Sequence, residues 1–104
     1  RKHLLLTDSD AVVALPGGCG TLEELFEAIT LKRLGIYFNP IVLLNSRNYY
    51  QPLQTFMQQV IDEKFMAIEH GAMWSLVDSV DEVLPEIVRT PALREDARDY
   101  AVVR

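Results

Sequence analysis

Residues 11–24 leave this chain the least freedom: a continuous apolar run, Ala11-Val12-Val13-Ala14-Leu15, stops at Pro16 and gives way to Gly17-Gly18-Cys19-Gly20. The run has the composition of a strand buried on both faces. Past the glycines, Leu22, Leu25, Phe26 and Ile29 recur at i, i+3, i+4 and i+7, the period of an amphipathic helix. The glycines therefore fall at a strand-to-helix turn. Backbone amides there meet the positive end of a helix dipole, where phosphate or another anion is favoured. Glycines also lack the Cβ atoms that would hold a ligand off the backbone. The spacing matches neither G-x-G-x-x-G nor G-x-x-x-x-G-K-[ST], the dinucleotide and Walker patterns. Turn chemistry alone leaves two readings open. One is an anion cradle; the other is a tight turn whose helix is capped by Thr21 and Glu24 as a T-x-x-E capping box.

Composition narrows the classes of function. At 104 residues the chain is one domain at most, and its 49% hydrophobic and 24% charged content is that of a globular protein. A net charge of −5 argues against a general nucleic-acid surface, which would be basic. No apolar run reaches the roughly 18 residues a spanning helix needs, so no membrane partner is expected. A single cysteine, Cys19, offers neither an internal disulfide nor a metal cluster. The expectation is a cytoplasmic protein with no metal and no cofactor.

Taken in order, residues 1–7 read as the end of a helix with Leu4 and Leu5 turned inward, and residues 8–10 break it before the first strand. The second helix spans residues 22–34, with Leu31 and Leu34 off its main apolar stripe; they are expected to be exposed or to form a subunit contact. Glu23, Glu24 and Glu27 crowd its start, where acids suit the dipole. Gly35 has the place of a C′ residue. Asn39-Pro40 marks a turn before a second buried strand, Ile41-Val42-Leu43-Leu44, and a polar loop follows. Tyr49 and Tyr50 either line a ligand pocket at the strand's C-terminal edge or pack at a helix start. Pro52 fits the first turn of a helix whose stripe is Leu53, Phe56, Met57, Val60, Ile61 and Phe65. His70-Gly71 reads as a loop and residues 73–77 as a third strand. Ser79-x-x-Glu82 predicts a capping box for a last helix with Val80, Val83, Leu84 and Ile87 inside and Pro85 at a kink. Strand–helix alternation of this kind implies an α/β fold, a Rossmann-like parallel sheet with flanking helices.

Pro16-Gly17-Gly18-x-Gly20-Thr21-x-x-Glu24 resembles the PGGxGTxxE signature of the LOG family, cytokinin riboside 5′-monophosphate phosphoribohydrolases long described as lysine decarboxylases. Arg1-Lys2 stands at the spacing of that family's Arg-Lys pair, and Ser9-Asp10-Ala11, Leu34-Gly35-Ile36 and Val42-Leu43-Leu44-Asn45 add to the likeness. By this resemblance residues 1–90 are the C-terminal part of a larger Rossmann-like nucleotide-binding domain, and residues 91–104 are a tail. The early strands and an acidic ligand-binding residue would lie upstream.

The resemblance implies hydrolysis of the N-glycosidic bond of a purine or cytokinin riboside 5′-monophosphate, AMP among them, by a homodimer. Glu24 and Arg1 are the expected catalytic residues. Lys2, Gly17, Gly18, Cys19, Gly20, Thr21, Leu22, Glu23 and Thr30 are the expected substrate and phosphate contacts. The older description would require a pyridoxal phosphate lysine, and Lys2, Lys32 and Lys64, the only lysines, stand in no such context. A non-catalytic nucleotide or molybdenum-cofactor carrier of the same fold is the alternative.

Overall fold

The computed structural model describes residues 9–90. Arg1, Lys2, the expected opening helix and the tail lie outside the described residues. The elements are β1 (Val12–Ala14), α1 (Cys19–Arg33), β2 (Ile41–Leu44), α2 (Gln51–Asp62), β3 (Ser75–Val77) and α3 (Val83–Arg89). Short 3-10 turns, Ser46–Asn48, Ile68–Ala72 and Val80–Glu82, lead into α2, β3 and α3. The three strands are parallel in the order β1-β2-β3, with Val12 opposite Ile41 and Val42 opposite Ser75. This is the α/β, Rossmann-like arrangement that the alternation implied.

Side chains alternate across a strand, and β2 divides the interior accordingly. Ile41 and Leu43 join Leu25, Ala28 and Ile29 of α1, Met57 of α2 and Trp74 in one cluster. Val42 and Leu44 turn the other way, with Val77, against Val83 and Ile87 of α3. All four β2 residues are buried, as a central parallel strand requires. β1 departs from the expected burial on both faces. Val12 and Ala14 pack on the α1 side, but Val13 is 38% exposed, because α3 packs on β2 and β3.

Helix α1 begins three residues before the expected position 22, with Gly18 as N-cap and no side-chain cap. Thr21 is thus inside the helix, and the T-x-x-E capping box does not form. Nor does any acid stand in its first turn. Leu31 is only 6% exposed, which corrects its reading as an exposed or intersubunit residue. After Leu34 the chain reverses at Gly35, whose φ of 77° is the left-handed conformation expected of a C′ glycine. The amides of Ile36 and Tyr37 then donate to the Leu31 carbonyl at 2.9 and 3.2 Å, and buried Tyr37 joins Leu31 in the core. Leu34 is exposed, as expected, and so is Phe26, which the stripe placed inside.

Pro52 stands in the first turn of α2. Only Met57 and Ile61 of its stripe are buried, and Phe56 and the following Phe65 face outward. His70, read as a loop residue, is fully buried in its 3-10 turn and accepts a hydrogen bond at Nδ1 from the Ala67 amide at 3.1 Å. The Trp74 indole N–H donates to Gln54 of α2 at 2.8 Å. The expected last helix divides in two at Val83. Pro85, lacking an N–H, then falls in the first turn of α3, where none is needed. Its entry has no side-chain cap; Ser79 donates instead to the Glu82 carboxylate at 3.4 Å, and Val80 and Leu84 are exposed rather than inside. No helix among the described residues is long and apolar enough to cross a membrane.

Lys32, in the last turn of α1, is 2% exposed and donates to the Asn39 carbonyl at 2.9 Å. Burial disfavours its charged form and lowers its pKa from 10.5 to about 8. The folded protein therefore sheds this proton at lower pH than the unfolded chain, and stability rises wherever the unfolded chain holds more protons. Stability is expected to climb from about pH 8 towards 10. Higher still, the Tyr37 and Tyr50 phenols, held above their ordinary 10.0 chiefly by burial, oppose the trend. Urea midpoints between pH 7.5 and about 9.5 read this directly. The rise should vanish in Lys32→Met; a flat wild-type profile would contradict the assignment.

Candidate functional site

The first feature of the site is a turn at the carboxyl edge of the sheet, where open α/β sheets receive ligands. β1 ends at Ala14, and α1 starts at Cys19. Thr21 folds back over Gly17, so a Cβ on Gly17 would lie 2.3 Å from the Thr21 hydroxyl oxygen. Packing therefore demands glycine at position 17. Gly18 and Gly20 differ: a Cβ on either would meet nothing within 4 Å. Glycine inside a helix costs about 1 kcal/mol relative to alanine, and no contact among the described residues asks for it at position 20. The bare backbone there faces open space, suited to an outside ligand. Accordingly, Gly17→Ala is expected to lose about 1–3 kcal/mol by overpacking against Thr21. Gly20→Ala is expected to gain up to about 1 kcal/mol. Urea denaturation distinguishes them, and equal responses would contradict the different roles.

The turn is buttressed from the loop after β2. Asn45, at the strand's end, donates its amide to the Val77 carbonyl at 2.7 Å and accepts the Tyr50 amide at its side-chain oxygen, also at 2.7 Å. Arg47 and Asn48 adopt φ values of 55° and 60°, uncommon for residues with a Cβ, as the chain turns back toward the glycines. Tyr50, buried, then donates its hydroxyl to the Leu15 carbonyl at 2.6 Å. Tyr49, half exposed, donates to the Gly17 carbonyl at 2.5 Å. The two rings meet edge to face, centroids 5.1 Å apart and planes at 84°. Burial, and then Tyr49, keep the Tyr50 phenol above its ordinary value, so it remains a donor. Sequence reasoning offered these tyrosines as pocket lining or helix-start packing. It missed their grip on the glycine turn, although two phenols directly after a strand end at the same sheet edge were the available signal.

Glu24 is exposed on α1, one turn beyond Thr21. Together with Thr21, Leu25 and residues 12–15 it lines a groove of about 290 Å³ along the outer edge of β1. Glu23 and Thr30 are exposed, Cys19 is exposed, and Leu22 is half-buried. The structure thus brings Gly17, Gly18, Cys19, Gly20, Thr21 and Glu24 to one corner of the sheet. A larger cavity, about 950 Å³, opens among Ile61, Asp62, Lys64, Phe65 and Ile68, after the end of α2. Parallel topology puts that cavity, Lys64 and Lys32 at the opposite end of the sheet from the glycines.

An open parallel sheet, a glycine turn at its carboxyl edge and a carboxylate one turn into the next helix make up a Rossmann-like α/β arrangement. The family described as "Possible lysine decarboxylase" matches residues 1–87. The chain belongs to this family, the LOG family. It is 41% identical over 92 residues to a "Probable cytokinin riboside 5′-monophosphate phosphoribohydrolase" of Oryza sativa subsp. japonica, covering 82% of this chain and 44% of that one. It is 49% identical over 67 residues to a cytokinin riboside 5′-monophosphate phosphoribohydrolase of Arabidopsis thaliana, covering 64% and 31%. A protein of the same name from Rhodococcoides fascians is 46% identical over 66 residues, covering 64% and 33%. The chain spans less than half the length of these relatives.

Proposed function

We propose that the protein hydrolyses the N-glycosidic bond of purine or cytokinin riboside 5′-monophosphates, releasing the free base and ribose 5-phosphate. The observation that carries this is the run of Gly18, Cys19, Gly20, Thr21 and Glu24 through the first turns of α1 at the carboxyl edge of the sheet. Glu24 opens beside Thr21, one helical turn from the bare backbone of Gly18 and Gly20. The names of the relatives support the same substrate class.

In this reading the amides of Gly18, Cys19, Gly20 and Thr21, with the Thr21 hydroxyl, hold the 5′-phosphate at the positive end of α1. Gly17 shapes the turn. Leu22, Glu23, Thr30 and Lys2 complete the substrate contacts. Cleavage builds positive charge at C1′, and the Glu24 carboxylate stabilises it and positions the attacking water. Water adds to C1′, the C1′–N bond breaks, and the base departs with a proton. Arg1 holds an anionic or polar group of the substrate through its planar fork. Residues 1–90 act as the C-terminal part of the nucleotide-binding domain, in a cytoplasmic homodimer.

The test is to incubate the full-length protein with AMP and with isopentenyladenosine monophosphate and to assay free base. Release from either supports the hydrolase. Nucleotide binding without release would favour the carrier reading.

A further inference from the structure

We propose that Tyr49 is a specificity-determining positioning residue: by holding the Gly17 carbonyl it aims the Gly18 amide at the substrate's 5′-phosphate. The proposal rests on the nucleotide reading above. Its starting point is the peptide between Gly17 and Gly18. Glycine populates positive and negative φ with similar ease, so a unit flanked by two glycines is the one in this turn that flips most readily. A flip would exchange its carbonyl for its N–H and present an acceptor where the phosphate needs a donor. In a trans peptide the carbonyl and the N–H point in opposite directions, and there is no cis bond among the described residues. The Tyr49 hydroxyl holds the Gly17 carbonyl at 2.5 Å, so the Gly18 N–H is directed away from the tyrosine.

The phenol is itself held in place. Its ring packs edge to face on Tyr50, which is 1% exposed and tied to Leu15 and Asn45. Tyr49, by contrast, is 49% exposed. Its hydroxyl can be removed without opening the core, and the loss should fall on phosphate recognition rather than on folding.

The experiment compares wild type with Tyr49→Phe by equilibrium titration of the full-length protein with two probes: ribose 5-phosphate, which carries the phosphate, and adenosine, which does not. The expected result is an approximately tenfold weaker affinity for ribose 5-phosphate, unchanged affinity for adenosine and an unchanged urea midpoint. With AMP as substrate the same variant should raise KM and leave kcat near wild type. Unchanged affinity for ribose 5-phosphate would overturn the proposal. So would an equal weakening of both probes or a lowered urea midpoint, either of which would make the hydroxyl a general structural tie. Neither titration requires turnover. A wild type that binds ribose 5-phosphate but releases no base would sink the hydrolase and leave Tyr49 to be judged by binding.

Discussion

Exchange of Glu24 for glutamine is expected to lower base release from AMP by about 10²–10⁴-fold, the usual worth of a positioned acid–base group. The substitution keeps the side chain's size and removes its charge. Because Glu24 is exposed on α1 and lines an open groove, the urea midpoint should stay within about 0.5 kcal/mol of wild type. Substrate affinity should also survive, since in the proposed reading the phosphate is held by amides one turn away. The loss then belongs in kcat, where an interaction made mainly in the transition state is read. A rate within twofold of wild type would remove Glu24 from the chemistry.

The second large effect concerns the core. Leu43→Ala should cost about 2–5 kcal/mol, the range for truncating a buried leucine. Leu43 is 1% exposed on the central strand and belongs to the cluster shared with Leu25, Ile29 and Met57. Phe56→Ala, which removes more side-chain volume, should change stability by no more than about 0.5 kcal/mol, because Phe56 is 57% exposed. Denaturant midpoints of the two variants decide between the structure and the apolar periodicity of α2, which put Phe56 inside. Comparable losses would favour the periodicity.

That contrast marks where sequence was a sufficient guide. Order of elements from β1 onward, parallel pairing, the glycine turn, the left-handed Gly35 and the proline in the first turn of α2 all follow from local chemistry, and all are present. Burial of particular residues does not follow from local chemistry. Leu31 looked peripheral on a helical projection, yet the chain returns across it after Gly35. Val80 and Leu84 looked internal, but the restart of the helix at Val83 turns them outward while Val83 and Ile87 reach β2. A period identifies an apolar face; what covers that face depends on residues distant in sequence.

The same division holds at the site. The PGGxGTxxE residues and their place between β1 and α1 were legible because the motif is contiguous. The link from Tyr49 to Gly17 joins residues 32 apart and depends on the left-handed pair Arg47-Asn48, neither of which is a glycine that would signal such a conformation. Lys32 likewise shows no outward sign of burial, since only the return of Asn39 supplies its acceptor.

The most direct measurement is a structure of the full-length Glu24→Gln protein with uncleaved AMP. The phosphate should lie within hydrogen-bond reach of the amides from Gly18 to Thr21, with C1′ of the ribose against the glutamine side chain. AMP seated with its phosphate away from those amides, or its ribose remote from position 24, would contradict the assignment.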